Sequence, residues 1–404
     1  MSRFVVIGGG HAAGQAVASL RQDGFEGEIV IIGDESHVPY QRPPLSKQYL
    51  SGEHTIDRVY LRAAAFYQER KVTLHLGVRA TRIDPKAHTV AMSTGETIQY
   101  DKLLIATGSR ARRLDIPGSD LAGIHYLRTV ADVDAIRAGF GAGKKMTIAG
   151  GGYIGLEVAS VAVTAGLDVT VLEMEERILK RVTTPAMSAF YHALHTGRGV
   201  MIRTSTKVSG FAGKDGHVEA VLTATGERIP ADIVLVGVGI IPNTELASEA
   251  GIACDNGILV DDHCRTSDPD IYAAGDCTNH PNALLGRRLR LESVPNAMEQ
   301  ARVATANMNG GDAIYASIPW FWSDQYELKL QMVGFSSDGD TAVTRGDPAA
   351  NQFATFYLKD GVLVAVDAVN SPREFMACRQ MVDKRARPDP AKLADPKVPL
   401  KELM

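Results

Sequence analysis

One unusual stretch occurs twice in this chain. Phe4-Val5-Val6-Ile7 runs into Gly8-Gly9-Gly10 and then a run of Ala-rich sequence over residues 11–20. Met146-Thr147-Ile148-Ala149 runs into Gly150-Gly151-Gly152, with Gly155 completing G-x-G-x-x-G, and a second helical run follows. A short apolar segment of this kind predicts a parallel strand buried on both faces. The glycines let the backbone approach a pyrophosphate, and the helix N-terminus offers it free N–H groups and a positive dipole end. An acid is expected about 20 residues further on, to hold a ribose hydroxyl. Asp34 stands there after Glu28-Ile29-Val30-Ile31-Ile32, and Glu173 after the strand expected over 168–172. In the first unit the third motif position is Ala13, which the G/A form of the fingerprint allows. Gly8 and Gly150 are 142 positions apart, and one dinucleotide site per unit is the economical account. The expectation is two nucleotide-binding domains in series and two cofactors.

At 404 residues the chain exceeds one ordinary core. A composition of 45% hydrophobic and 22% charged residues is that of a soluble globular protein. The net charge of −4 gives no bias toward nucleic acid or a membrane surface. Residues 1–7 already read as strand, so no signal peptide is expected, no apolar run reaches transmembrane length, and the cytoplasm is the default location. Cys254, Cys264, Cys277 and Cys378 form no metal-ligand spacing and no C-x-x-C. They are expected to be buried filler, with no metal site and no redox disulfide.

Between the glycine units, residues 35–50 contain PYQRPPLSKQYL, whose prolines predict a stiffened loop leading into a short helix. It carries Arg42 and Lys47, and Lys47 is expected on the flavin side. Lys102 to Ile105 predicts a buried strand emptying into Ala106-Thr107-Gly108. The run Ile233 to Val236 does the same into Gly237-Val238-Gly239. In TSDPDIYAAGDC a strand delivers Asp276 after Gly275, the usual way to place a carboxylate on the ribityl chain of FAD. The first domain is therefore expected to be discontinuous, with the second inserted. A helix is expected from ESVPNA to about Met308, its positive end suited to the flavin pyrimidine. Glu173 would accept both ribose hydroxyls and repel a 2′-phosphate, which favours NADH over NADPH despite Arg177 and Arg181 nearby.

PYQRPPLSKQYL, GGGYIGLEVA, TSDPDIYAAGDC, ESVPNAMEQAR and PWFWSDQY, in this order, resemble the putidaredoxin reductase-like family of FAD-dependent NADH:ferredoxin reductases of bacterial oxygenase systems. The resemblance covers nearly the whole chain. It implies an α/β architecture of the glutathione reductase type. Two Rossmann-like domains are expected, an FAD domain at 1–112 and 243–318 and an NAD domain at 113–242, followed by an α+β domain at 319–404. It also implies FAD on Gly8, Gly10, Ala12, Asp34, Lys47, Ala80, Arg128, Asp276 and Val294, and NADH on Gly152, Tyr153, Ile154, Glu173 and Gly239. Lys47 and Glu157 would pair beside the flavin, Tyr153 would cover its NADH-facing side, and Trp322 would lie near the edge facing the acceptor. Ala13, where the family commonly has glycine, is the departure.

The loop at 35–50 holds no cysteine, so no thiol relays the electrons of NADH as it does in related disulfide reductases and peroxidases. The flavin would then deliver its electrons itself, singly, which suits the 2Fe–2S ferredoxin that the resemblance implies. Arg62, Arg287, Arg288, Arg290, Arg302 and Lys329 are the expected basic docking residues. An NADH oxidase, or an NADH-responsive flavoprotein acting as a binding module, are the alternatives. A monomer or weak dimer is expected, with no nucleic-acid or membrane partner.

Overall fold

The computed structural model describes residues 2–404. The chain groups into two compact units, one of residues 1–42, 55–110 and 240–319, the other of residues 43–54, 111–239 and 320–404.

In the first unit five parallel strands run in the order Ile271–Ala273, Lys102–Ile105, Arg3–Ile7, Glu28–Gly33, Val72–Leu76. Val5 lies opposite Val30 and Ile7 opposite Ile32. Successive residues point to opposite faces, so an uninterrupted apolar run needs cover on both. Phe4, Val6, Ile29 and Ile31 enter one core cluster, and Val5, Ile7, Val30 and Ile32 another. The first face is covered by the helices His11–Gln22 and Val294–Met308. These pack through Ala13, Ala16, Ala301 and Ala304, small residues that let the two backbones come close. The second face is covered by the antiparallel strands Ala80–Asp84, Thr89–Met92 and Thr97–Gln99.

The second unit repeats the plan with Met201–Arg203, Asp168–Leu172, Lys145–Ala149, Ile233–Val236 and Ile124–His125, again all parallel. Helix Tyr153–Thr164 follows its glycine turn. Leu156, Glu157, Val158, Ala159, Ser160 and Ala162 are all buried, so neighbours enclose it on more than one side. They include the 3-10 turn Pro43–Ser46, the short helix Gln48–Ser51 and the strand Trp320–Gln325. That strand begins an antiparallel sheet ordered Trp320–Gln325, Leu328–Gly334, Val362–Val369, Gln352–Lys359, Thr341–Asp347. Helix Pro372–Asp383 buries Phe375, Cys378, Met381 and Val382. The Trp320 ring lies 5.8 Å from Phe375 and 5.6 Å from Trp322, so one of the paired tryptophans is a packing residue.

Candidate functional site

Both glycine turns have the same backbone. Gly8 has φ +121° and Gly150 φ +114°, values that L side chains rarely adopt. A Cβ on Gly8 would lie 2.1 Å from the Ala106 carbonyl oxygen, and one on Gly150 2.4 Å from that of Gly237. The turns are thus wedged against the strand ends that the sequence marks as emptying into small residues. Gly10 and Gly152 are the N-caps of the two helices, and neither helix start has a capping side chain among the described residues. Nothing lies within 4 Å of where their Cβ atoms would be. A helix start with no capping side chain, and room beside its N-cap glycine, is what a pyrophosphate needs, so both turns fit a dinucleotide. At the third motif position Gly155 is obligatory, because a Cβ there would meet the Gly150 oxygen at 2.3 Å. Ala13 is fully buried in the core of the first unit, which accommodates its methyl group. Ala12, beside it, is also buried.

The two acids differ in their surroundings. Asp34 follows its strand directly and is largely exposed, with Arg79 at 3.7 Å. Glu173 is held by backbone. Its Oε2 accepts the Gly151 N–H at 2.8 Å and its Oε1 the Glu175 N–H at 2.9 Å. The carboxylate is therefore fixed at the glycine turn itself. Arg177 is turned away to the Thr183 and Lys180 carbonyls and the Ser188 hydroxyl. Gly239, at φ +103°, closes the neighbouring strand end, and Ile154 is exposed at the helix start.

Lys47 and Glu157 come together. Lys47 Nζ lies 2.6 Å from Glu157 Oε2, and both side chains are nearly inaccessible. Ser46 Oγ donates to the same oxygen at 2.5 Å and Ser323 Oγ to Oε1 at 2.6 Å. Such partners offset the cost of burying a carboxylate. Tyr153, one turn earlier on the same helix, donates its hydroxyl to Met332 Sδ at 2.9 Å and packs its ring 5.2 Å from Phe321. Burial holds that hydroxyl well above the ordinary tyrosine range. Trp322 is half-buried on the strand between Phe321 and Ser323. Arg128 is half-buried just before helix Val130–Ala138, its N–H donating to Asp132 Oδ2 at 3.1 Å.

In the first unit Asp276 Oδ2 accepts from Ser109 Oγ at 2.8 Å. Thr107 and Asn243 exchange two hydrogen bonds, at 2.7 and 2.9 Å, which lock the turn after Ile105. Ala80 is buried at a strand start. The last helix begins at Val294, after the cap Ser293, two residues later than the ESVPNA stretch itself. Arg42 pairs with Glu35 at 2.6 Å. Ser46, Ser109, Ser323, Phe321, Met332 and Asn243 escape sequence reasoning, because small polar or apolar residues become informative only when a partner far along the chain is known.

Of the basic residues, Arg62, Arg287, Arg288, Arg302 and Lys329 are exposed. Arg288 donates to the Val260 and Asn279 carbonyls at 2.7 and 2.5 Å, and Arg290 pairs with Glu292 at 2.7 Å. All four cysteines are free thiols, and three are buried. Burial raises the Cys277 thiol to about 11. Among the described residues no helix is long and apolar enough to cross a membrane.

The pyridine nucleotide-disulphide oxidoreductase family matches residues 2–301, and a reductase C-terminal family matches residues 320–404. The chain is 43% identical over 402 residues to a ferredoxin–NAD(P)(+) reductase of Sphingomonas sp, covering 99% of this chain and 97% of that one. It is 44% identical over 405 residues to putidaredoxin reductase of Pseudomonas putida, covering 99% and 96%. The crystal structure of the covalent putidaredoxin reductase–putidaredoxin complex matches with a TM-score of 0.96 at 43% identity, covering 100% of this chain and 98% of that one. With two glycine turns shaped for dinucleotides and these full-length likenesses, the chain belongs to the pyridine nucleotide-disulphide oxidoreductases, among the putidaredoxin reductase-like ferredoxin–NAD(P) reductases.

Proposed function

We propose that this protein takes a hydride from NADH and passes single electrons to a 2Fe–2S ferredoxin that supplies a haem-thiolate monooxygenase or a related oxygenase. The observation that carries this reading is the pair of uncapped, glycine-walled helix N-termini at Gly10 and Gly152, in a chain whose loop 35–50 holds no cysteine. Relatives named as ferredoxin reductases, and a structure of one joined to its ferredoxin, support it.

When bound, FAD accepts two electrons as a hydride and gives them up one at a time. The turn at Gly8 and Gly10, with Ala12, Asp34, Ala80, Arg128, Asp276 and Val294, would hold it. Lys47 would place its ammonium at the flavin, with Glu157 keeping it aimed. Gly152, Ile154, Glu173 and Gly239 would hold NADH, and Tyr153 would cover the hydride-accepting face until the nicotinamide arrives. Trp322 would stand at the edge that faces the acceptor. No side chain has to carry a proton in this scheme, so the residues act by positioning and by electrostatics. We read the FAD domain as 1–112 and 243–318, the NAD domain as 113–242 and the last domain as 319–404, in a cytoplasmic monomer or weak dimer.

The ferredoxin would meet a basic rim of Arg62, Arg287, Arg288, Arg290, Arg302 and Lys329. Arg302 is exposed and Arg290 is engaged with Glu292, so Arg302→Glu should raise the ferredoxin KM at low salt more than Arg290→Glu does. Stopped-flow mixing with NADH and then with a panel of 2Fe–2S ferredoxins tests the whole reading. Fast reoxidation by one of them supports it. Equally fast turnover with oxygen alone would make the protein an NADH oxidase, and slow reoxidation by every ferredoxin would make it a binding module.

A further inference from the structure

Glu157 is the end of a longer chain of hydrogen bonds. Ser323 Oγ, which donates to it, accepts from Gln325 Nε2 at 3.2 Å. Gln325 Oε1 lies 2.8 Å from His195 Nε2, and His195 Nδ1 lies 3.1 Å from the Tyr326 hydroxyl. Ser323, Gln325 and His195 are buried, and Tyr326 is half-buried with Arg198 over its ring at 5.1 Å. We infer that His195, Gln325 and Ser323 are positioning residues that fix Glu157 as the hydrogen-bond acceptor of Lys47. The inference rests on the proposed place of that pair beside the flavin.

The direction of every bond follows from the carboxylate. A carboxylate paired with a lysine only accepts, so Ser323 must donate to Glu157. The Ser323 oxygen is then open to the Gln325 amide N–H, which fixes the orientation of that amide. Its carbonyl must accept, so His195 carries its proton on Nε2. Nδ1 of a neutral imidazole accepts, and Tyr326 therefore donates. All the donors point toward Glu157. A glutamine amide does not pass protons, so the chain orders dipoles rather than conducting a charge.

Several features agree with that order. Burial, with His192 nearby, lowers His195 to about 4, as a neutral link requires. The charged and titratable groups around it are His192, Arg198, Tyr326 and Glu327, with the Glu157–Lys47 pair at the far end. Tyr326 has φ +55° at the turn between Trp320–Gln325 and Leu328–Gly334, so the ring is presented from a fixed corner. Ser323 and Gln325 share one face of their strand and Trp322 takes the other.

The test uses the purified flavoprotein with its histidines labelled with nitrogen-15. His195 should give the Nε2–H tautomer and should not titrate across the neutral range. Gln325→Glu keeps an acceptor for His195 but offers Ser323 no donor. It should preserve the tautomer yet slow flavin reduction by NADH about tenfold, with FAD content unchanged. Ser323→Ala should slow it similarly, while Ser323→Thr, which keeps the hydroxyl, restores the parent rate. An Nδ1–H tautomer, a titrating His195, or parental rates in both Gln325→Glu and Ser323→Ala would overturn the inference. The tautomer is read without any acceptor, so failure of the ferredoxin reading would show separately, in reoxidation of the parent protein.

Discussion

Thr183 Oγ1 donates to Asp367 Oδ2 at 3.0 Å, and the Tyr357 hydroxyl donates to the same oxygen at 2.9 Å. All lie in the second unit, where Asp367 is buried on Val362–Val369. Burial raises its carboxyl from 3.8 to about 6, and the two donors only moderate the rise. The folded value lies above the unfolded one. The contribution to stability is therefore complete below the unfolded value and is lost as pH rises through about 6, a span of roughly 3 kcal/mol. Asp367→Asn has no such loss. Its melting temperature should gain on the parent by a few degrees between about pH 5 and about pH 8. A gap that stays constant with pH would contradict the burial argument.

His195 acts in the opposite sense. Its folded value, about 4, lies below its ordinary 6.5, so the stability it confers is present above 6.5 and is lost as pH falls through about 4. Between those limits the two groups oppose each other. Removing Asp367 should therefore steepen the loss of stability on acidification, which melts of Asp367→Asn from neutral to acid pH would reveal.

The Lys47–Glu157 pair has the signature of a buried ion pair with extra donors. Lys47→Met leaves a buried carboxylate with only two hydroxyls and should cost about 3–5 kcal/mol. The double variant Lys47→Met with Glu157→Gln should recover a good part of that. Denaturant unfolding of the four proteins gives the coupling directly, and additive losses would deny it.

Gly8 and Gly10 separate folding from binding. Gly8→Ala places a methyl group against the Ala106 carbonyl at a strained φ, and little folded protein is expected. Gly10→Ala meets nothing within 4 Å and should fold, but its methyl would stand where the phosphates approach. Purified Gly10→Ala should be nearly colourless with a normal far-ultraviolet spectrum. A fully yellow Gly10→Ala would move the cofactor site elsewhere.

Glu173 is anchored by two backbone N–H groups, so its charge cannot swing away from a 2′-phosphate. Glu173→Ser should lower kcat/KM with NADH about tenfold or more and raise kcat/KM with NADPH relative to it. Steady-state kinetics with both nucleotides decide this. An unchanged ratio would assign the preference to other residues.

The two Rossmann-like units, their parallel strands and their glycine turns were legible because strand, turn, helix and acid are local in sequence. Uninterrupted apolar runs flag sheets covered on both faces, and the clusters around Phe4 and Val5 bear this out. The places of Asp34 and Glu173 at their strand ends were legible for the same reason, as a spacing from a motif. What the local pattern could not carry was the company these residues keep. Nothing in the spacing tells that Glu173 is clamped by its own glycine turn while Asp34 stands exposed. Nor does it tell that Ser46 and Ser323 meet on the Glu157 carboxylate, with Gln325 and then His195 lined up behind Ser323. Backbone conformation follows from neighbours along the chain, so sequence alone determined the two glycine turns. The partners and aim of buried side chains follow from neighbours in space, so only the tertiary structure decided how Lys47 and Glu157 are held.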